Sequence, residues 1–80
     1  MNLRGVGDRW LAGESIPGVT FGLHDGVDLL GGPHAGTSGA ILLLLALHPE
    51  PMYLVGLETG AGDVRVPQSA LRLAVRSRRG

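Results

Sequence analysis

An all-β fold, a small five-stranded barrel, is what this chain predicts, and three observations carry the prediction. The first is the stretch Val27 to Leu42, VDLLGGPHAGTSGAIL, in which two apolar runs flank a loop punctuated by Gly31, Gly32, Pro33, Gly36 and Gly39. Glycine permits the positive φ that a reversal needs, and proline cannot donate to a sheet ladder, so the stretch reads as strand, loop, strand. The second is the succession of short apolar runs and turn residues from Thr20 onward. The third is size. Eighty residues without cysteine allow one domain, a modest core, and no disulfide or thiolate metal site.

Each element follows in order. Residues 1–19 show neither alternation nor helical period, and Gly5, Gly7, Gly13, Pro17 and Gly18 break every run. They are expected to form a flexible arm whose removal leaves the domain's stability nearly unchanged. Trp10 and Leu11 docked on the barrel, or on a neighbouring copy, are the alternative to an unstructured leader. Gly26 to Leu30 is the first strand, and Ala40 to Leu47 the second, closed by the turn His48-Pro49-Glu50-Pro51. Met52 to Leu57 is the third. The glycine-rich loop Glu58 to Gly62 leads into Asp63 to Val66 as the fourth. Pro67 to Ala70 suits one tight 3₁₀ turn, and Leu71 to Val75 a short fifth strand. The barrel therefore spans residues 20–75, and a basic tail occupies 76–80.

Alternate residues of a strand face opposite sides. Strict alternation puts Ile41, Leu43, Leu45 and Leu47 on one face of the second strand, and Leu42, Leu44 and Ala46 on the other. The third strand divides into Met52 and Leu54 against Tyr53, Val55 and Leu57. Both faces are apolar, and the pattern leaves open which one lines the core. Each exposed leucine forgoes roughly 1.5–3 kcal/mol of burial, so the outer stripe is expected to meet another chain. Leu42, Leu43, Leu44, Leu45, Tyr53 and Val55 are the candidate residues of that homo-oligomer interface.

Charge narrows the partners. The net charge is zero, yet residues 21–70 hold Asp25, Asp28, Glu50, Glu58 and Asp63 against Arg65 alone, while Arg72, Arg76, Arg78 and Arg79 crowd the last ten positions. An acidic body argues against a nucleic-acid-binding surface. No segment is long enough to span a bilayer and no targeting signal is visible, so a soluble cytoplasmic protein is expected.

VDLLGGPHAGTSGAIL resembles the KOW-type segment of SH3-like barrels, which implies that fold. In ribosomal proteins and transcription elongation factors such modules contact RNA or polymerase through basic loops. Here the loop offers only His34. From Phe21 to Leu73 the layout is also similar to the plasmid-borne type II dihydrofolate reductases. The resemblance rests on Phe21-Gly22, Asp25 followed by Val27, Gly39-Ala40-Ile41, Tyr53, Gly62 to Val66, and Ala70-Leu71. It implies four copies around a central pore that holds NADPH and substrate. The family's catalytic strand, Val-Gln-Ile-Tyr, corresponds to Val64, Arg65, Val66 and Pro67, the candidate ligand or pore residues. Arg65 stands where that family has glutamine, Pro67 where it has tyrosine, and Leu29 near its ligand-attracting lysine. Four copies of Arg65 about one axis repel each other unless an anion sits between them. The alternative is that Arg65 faces outward and pairs with Glu58 or Asp63.

Other chemistry finds little support. His24, His34 and His48 fall in three different turns without metal-site spacing. Ser38, His34 and Asp25 make up a nucleophilic set in name only, since no strained turn presents the serine. The glycine loop lacks the Lys-Ser/Thr of a phosphate-binding loop. The expectation is a non-enzymatic, self-associating SH3-like module without cofactor or metal. A type II reductase-like tetramer using NADPH is the alternative, and a KOW-type RNA-associated module is the third reading.

Overall fold

The computed structural model describes residues 3–74, with side chains from residue 5 onward; Val75 and the expected basic tail 76–80 lie outside the described residues. An α-helix, α1 (Leu3–Leu11), precedes five strands: β1 (Gly26–Leu29), β2 (Ser38–Ala46), β3 (Met52–Leu57), β4 (Asp63–Pro67) and β5 (Leu71–Leu73), with a 3₁₀ turn at Gln68–Ala70. The strands form one antiparallel sheet in the order β4-β3-β2-β1-β5. The all-β class and the 3₁₀ turn stand where the residue pattern puts them. Leu30 leaves the first strand and is half exposed.

The alternation assumed for the second strand fails, and the sheet register says why. Ile41 pairs with Val55, but Leu43 pairs with Leu54, Leu44 with Tyr53 and Ala46 with Met52. Leu42 and Leu45 are therefore extra residues, each a β-bulge that puts two residues against one. Each bulge resets the face. Ile41 and Leu44 point inward together, three residues apart, and Leu43 is 42% exposed. The third strand alternates without interruption, and Tyr53, Val55 and Leu57 are all buried. Leu44, Tyr53 and Val55 thus belong to the core and not to an outer interface, which corrects their assignment.

Gly39 shows how closely β2 and β3 approach. A Cβ there would collide with the Gly56 carbonyl oxygen and lie 2.8 Å from Val55 Cγ1. Glycine is required at this position by a backbone neighbour, not by an unusual φ.

Residues 3–19, expected as part of a flexible arm, instead hold a helix packed on the sheet. Leu3–Leu11 is helical although Gly5 and Gly7 lower its propensity by about 1 kcal/mol each. Burial supplies what propensity lacks. Val6 and Trp10, four residues apart on one helix face, join the core with Ile16 and Phe21. Trp10 is 3% exposed, and its indole N–H donates to the Phe21 carbonyl at 2.8 Å. Trp10 docks on the sheet; Leu11 stays exposed.

A single side chain ties this segment down further along. The Gln68 amide donates to Gly18 O at 3.1 Å and accepts from Thr20 N–H at 2.8 Å. It reads the backbone of 18–20 as the peptide group of a neighbouring strand would. The Tyr53 hydroxyl donates to Gln68 Oε1 and accepts from Phe21 N–H at 3.3 Å, while the Phe21 and Tyr53 rings meet edge to face at 5.6 Å. No buried side-chain nitrogen or oxygen is left without a partner among the described residues.

Candidate functional site

The four residues aligned with the catalytic strand of the type II reductases lie together on β4, at one end of the sheet. Val66 faces inward and is buried, Val64 is half-buried, and Arg65 points outward into solvent. Alternation dictates this, because Arg65 pairs across the sheet with the outward-facing Leu54. Across from β4 stands the glycine loop, with Gly32 and Gly36 both at positive φ, 82° and 90°. A cleft of about 330 Å³ separates the two and is lined by Gly31–His34 on one side and Val64–Pro67 on the other, with Leu29 and Ala70 at its floor. Residues thirty positions apart in the chain are thus brought to one place.

The cleft is mostly apolar, with Arg65 as its one permanent charge and His34 on the opposite wall. No carboxylate stands within 4.0 Å of the Arg65 guanidinium among the described residues, so it has neither Glu58 nor Asp63 as an ion-pair partner. Among the described residues, ion pairs join Arg9 to Glu14 at 3.0 Å and Arg72 to Asp28 at 3.5 Å, both on exposed arginines and worth under about 1 kcal/mol. Among the described residues, no three metal-ligating side chains come together. His24, His34 and His48 remain in separate loops.

The second candidate surface is the outer side of β2 and β3. The bulges place Leu42, Leu43 and Leu45 there, opposite Leu54 and Met52. Leu42 lies over Gly56, within 3.1 Å of where a Cβ would be. Leu43 is exposed there, and Leu42, Leu45, Met52 and Leu54 are half-buried. Another concavity, about 650 Å³, lies between α1 and the turn at 48–51, with Val6, Ile16, Leu47 and Pro49 in its walls.

Sequence reasoning missed Gln68 and the role of the Tyr53 hydroxyl. Gln68 reads as one residue of a tight turn, and nothing in its neighbours announces partners 48 and 50 positions away. Burial pushes the Tyr53 hydroxyl above its ordinary 10.0, against the backbone hydrogen bonds at Phe21 and Thr20 that pull it down; the charge of Asp25 adds to the rise.

No helix among the described residues is long and apolar enough to cross a membrane. Comparison with protein-family models, with curated proteins and with solved structures finds no match for this chain.

Proposed function

We propose that this chain is an SH3-like barrel that acts as a non-enzymatic assembly module, associating with copies of itself through the outer face of β2 and β3. The strand order β4-β3-β2-β1-β5, with a 3₁₀ turn leading into a fifth strand that returns to the first, supports the barrel reading. One observation carries the function: Leu42, Leu43, Leu45, Met52 and Leu54 form a contiguous apolar stripe on the side of the sheet opposite the core. An apolar stripe rimmed by polar residues marks an association surface. Light scattering over a dilution series tests it. An oligomer that Leu43→Glu converts to a folded species of lower mass supports the reading; a monomeric wild type overturns it.

A second reading has its own observation. Arg65 stands beside an apolar cleft with no carboxylate of the described residues in reach, which suits an anionic ligand with an apolar body, NADPH among them. On this reading the chain is a relative of the type II reductases. Titration with NADPH, followed by nucleotide fluorescence, tests it: saturable binding lost in Arg65→Gln supports it, and no binding removes it.

A further inference from the structure

We infer that β4 is a self-complementary edge, through which two copies of this chain pair antiparallel about a two-fold axis at Val64. The inference rests on the self-association proposed above and adds a second contact to it, distinct from the outer leucine face.

The phase of the hydrogen bonds in the β3–β4 ladder decides which groups are free. Leu57 N–H donates to Gly62 O at 3.0 Å, and Gln68 N–H donates to Pro51 O at 2.8 Å. Glu58 N–H, by contrast, turns toward β2 and donates to Ser38 O at 2.9 Å. Both ends of the ladder thus agree that the even-numbered residues of β4 bond to β3. The backbone groups of Asp63 and Arg65 therefore point the other way, and no strand of the described chain pairs there. The cleft runs along this same edge and separates it from the glycine loop at Gly31–His34.

An edge that carries charges ordinarily deters pairing. The deterrent depends on sign, however. Asp63 and Arg65 are two residues apart, share the outer face and bear opposite charges. Three antiparallel two-fold registers let the outward backbone groups meet. A two-fold at residue 63 sets Asp63 against its own copy, and one at residue 65 sets arginine against arginine. A two-fold at residue 64 sets each Asp63 opposite the other copy's Arg65, twice over. In that register the four free N–H and C=O groups at Asp63 and Arg65 of each copy bond in the narrow pairs, and the Val64 residues face each other. Pro67, which has no N–H, ends the ladder beyond it. Charge thus selects one register and one occupant, a second copy. The pairing also makes the outer faces of the two sheets continuous.

Charge reversal tests this. Asp63→Arg sets arginine against arginine and Arg65→Asp sets aspartate against aspartate, so each alone should weaken self-association by about tenfold or more. The double variant D63R/R65D restores the opposite charges with no change in net charge and should associate as wild type does. Mixing the two single variants should form the hetero-pair. Single variants that associate like wild type, or a double variant that stays as weak as the singles, overturn the inference. Amide hydrogen exchange gives a second readout on the wild type. At concentrations where it is associated, the Asp63 and Arg65 amides should be protected, and on dilution they alone on β4 should lose protection. Fast exchange at both under associating conditions overturns it. If Leu43→Glu splits the assembly while the charge reversals leave it intact, the leucine interface stands and the edge pairing falls. If the wild type is monomeric throughout, both fall.

Discussion

The two sides of the β2–β3 layer carry similar numbers of apolar side chains and meet different fates. The inner side, with Ile41, Leu44, Tyr53, Val55 and Leu57, is closed by α1 and residues 16–21. The outer side, with Leu42, Leu43, Leu45, Met52 and Leu54, keeps Leu43 exposed and the other four half-buried. Hydrophobicity alone does not distinguish them. The difference lies in directional anchors: the inner cover is fastened by Trp10 to Phe21, Phe21 to Tyr53, and Gln68 to Gly18 and Thr20. The outer side has no such handle among the described residues. Apolar area sets how much there is to gain, and hydrogen bonds set which segment gains it.

The sharpest way to break that contrast is to place one charge on each side. Leu44→Glu buries a carboxylate without a partner and should cost more than about 4 kcal/mol, enough to unfold a domain this small. Leu43→Glu, one residue away, should leave the melting midpoint within a few degrees while altering molar mass. Equal damage in thermal melts of the two variants would mean that the bulge at Leu42 does not set the faces.

Removing an anchor from the covered side comes next. Trp10→Ala should cost about 3–5 kcal/mol in urea unfolding, through lost packing and an unpaired Phe21 carbonyl. Deleting residues 1–17 should likewise lower the midpoint sharply, the reverse of what a flexible arm implies. An unchanged midpoint in either would show that the inner side does not depend on its cover.

A smaller effect is expected from the Tyr53–Gln68 pair. Gln68→Ala should cost about 1–3 kcal/mol, because Tyr53 and Thr20 lose a shared acceptor. The same network bears on pH. The Tyr53 value is raised in the fold, so the fold favours the neutral hydroxyl. Its contribution should be fully present below the ordinary 10.0 and lost as pH rises through the folded value. Alkaline titration of unfolding should show that loss in the wild type and not in Tyr53→Phe.

The smallest expected change is a gain. Gly7 lies in α1, and a Cβ added there would meet nothing within 4 Å, so Gly7→Ala should stabilise by about 0.5–1 kcal/mol. A loss instead would mean that the helix needs its glycines to seat Val6 and Trp10.

The strands were legible because their signals are local. Gly31 to Gly36 marks a loop between two strands, and Glu58 to Gly62 a hairpin, through residues that act on their own backbone. The division of β3 into two faces was legible too, since Met52 to Leu57 alternates without a bulge, but not that Tyr53 and Val55 line the core. Of the candidate site, Val64 to Pro67 was recognised as a unit, but not that Gly31–His34 stands across a cleft from it. Helix α1 was invisible because two glycines hide a weak helix that only packing holds.

The amino-acid sequence by itself determined the all-β class, the order of the strands along the chain and the turns between them, since glycine, proline and alternation act within a few residues. Only the tertiary structure decided which leucines of β2 face the core, that Trp10 fills it, and that Asp63 and Arg65 sit on an open edge. Those outcomes depend on register and on partners tens of residues away, where a one-residue bulge reverses a face and no local pattern reports it.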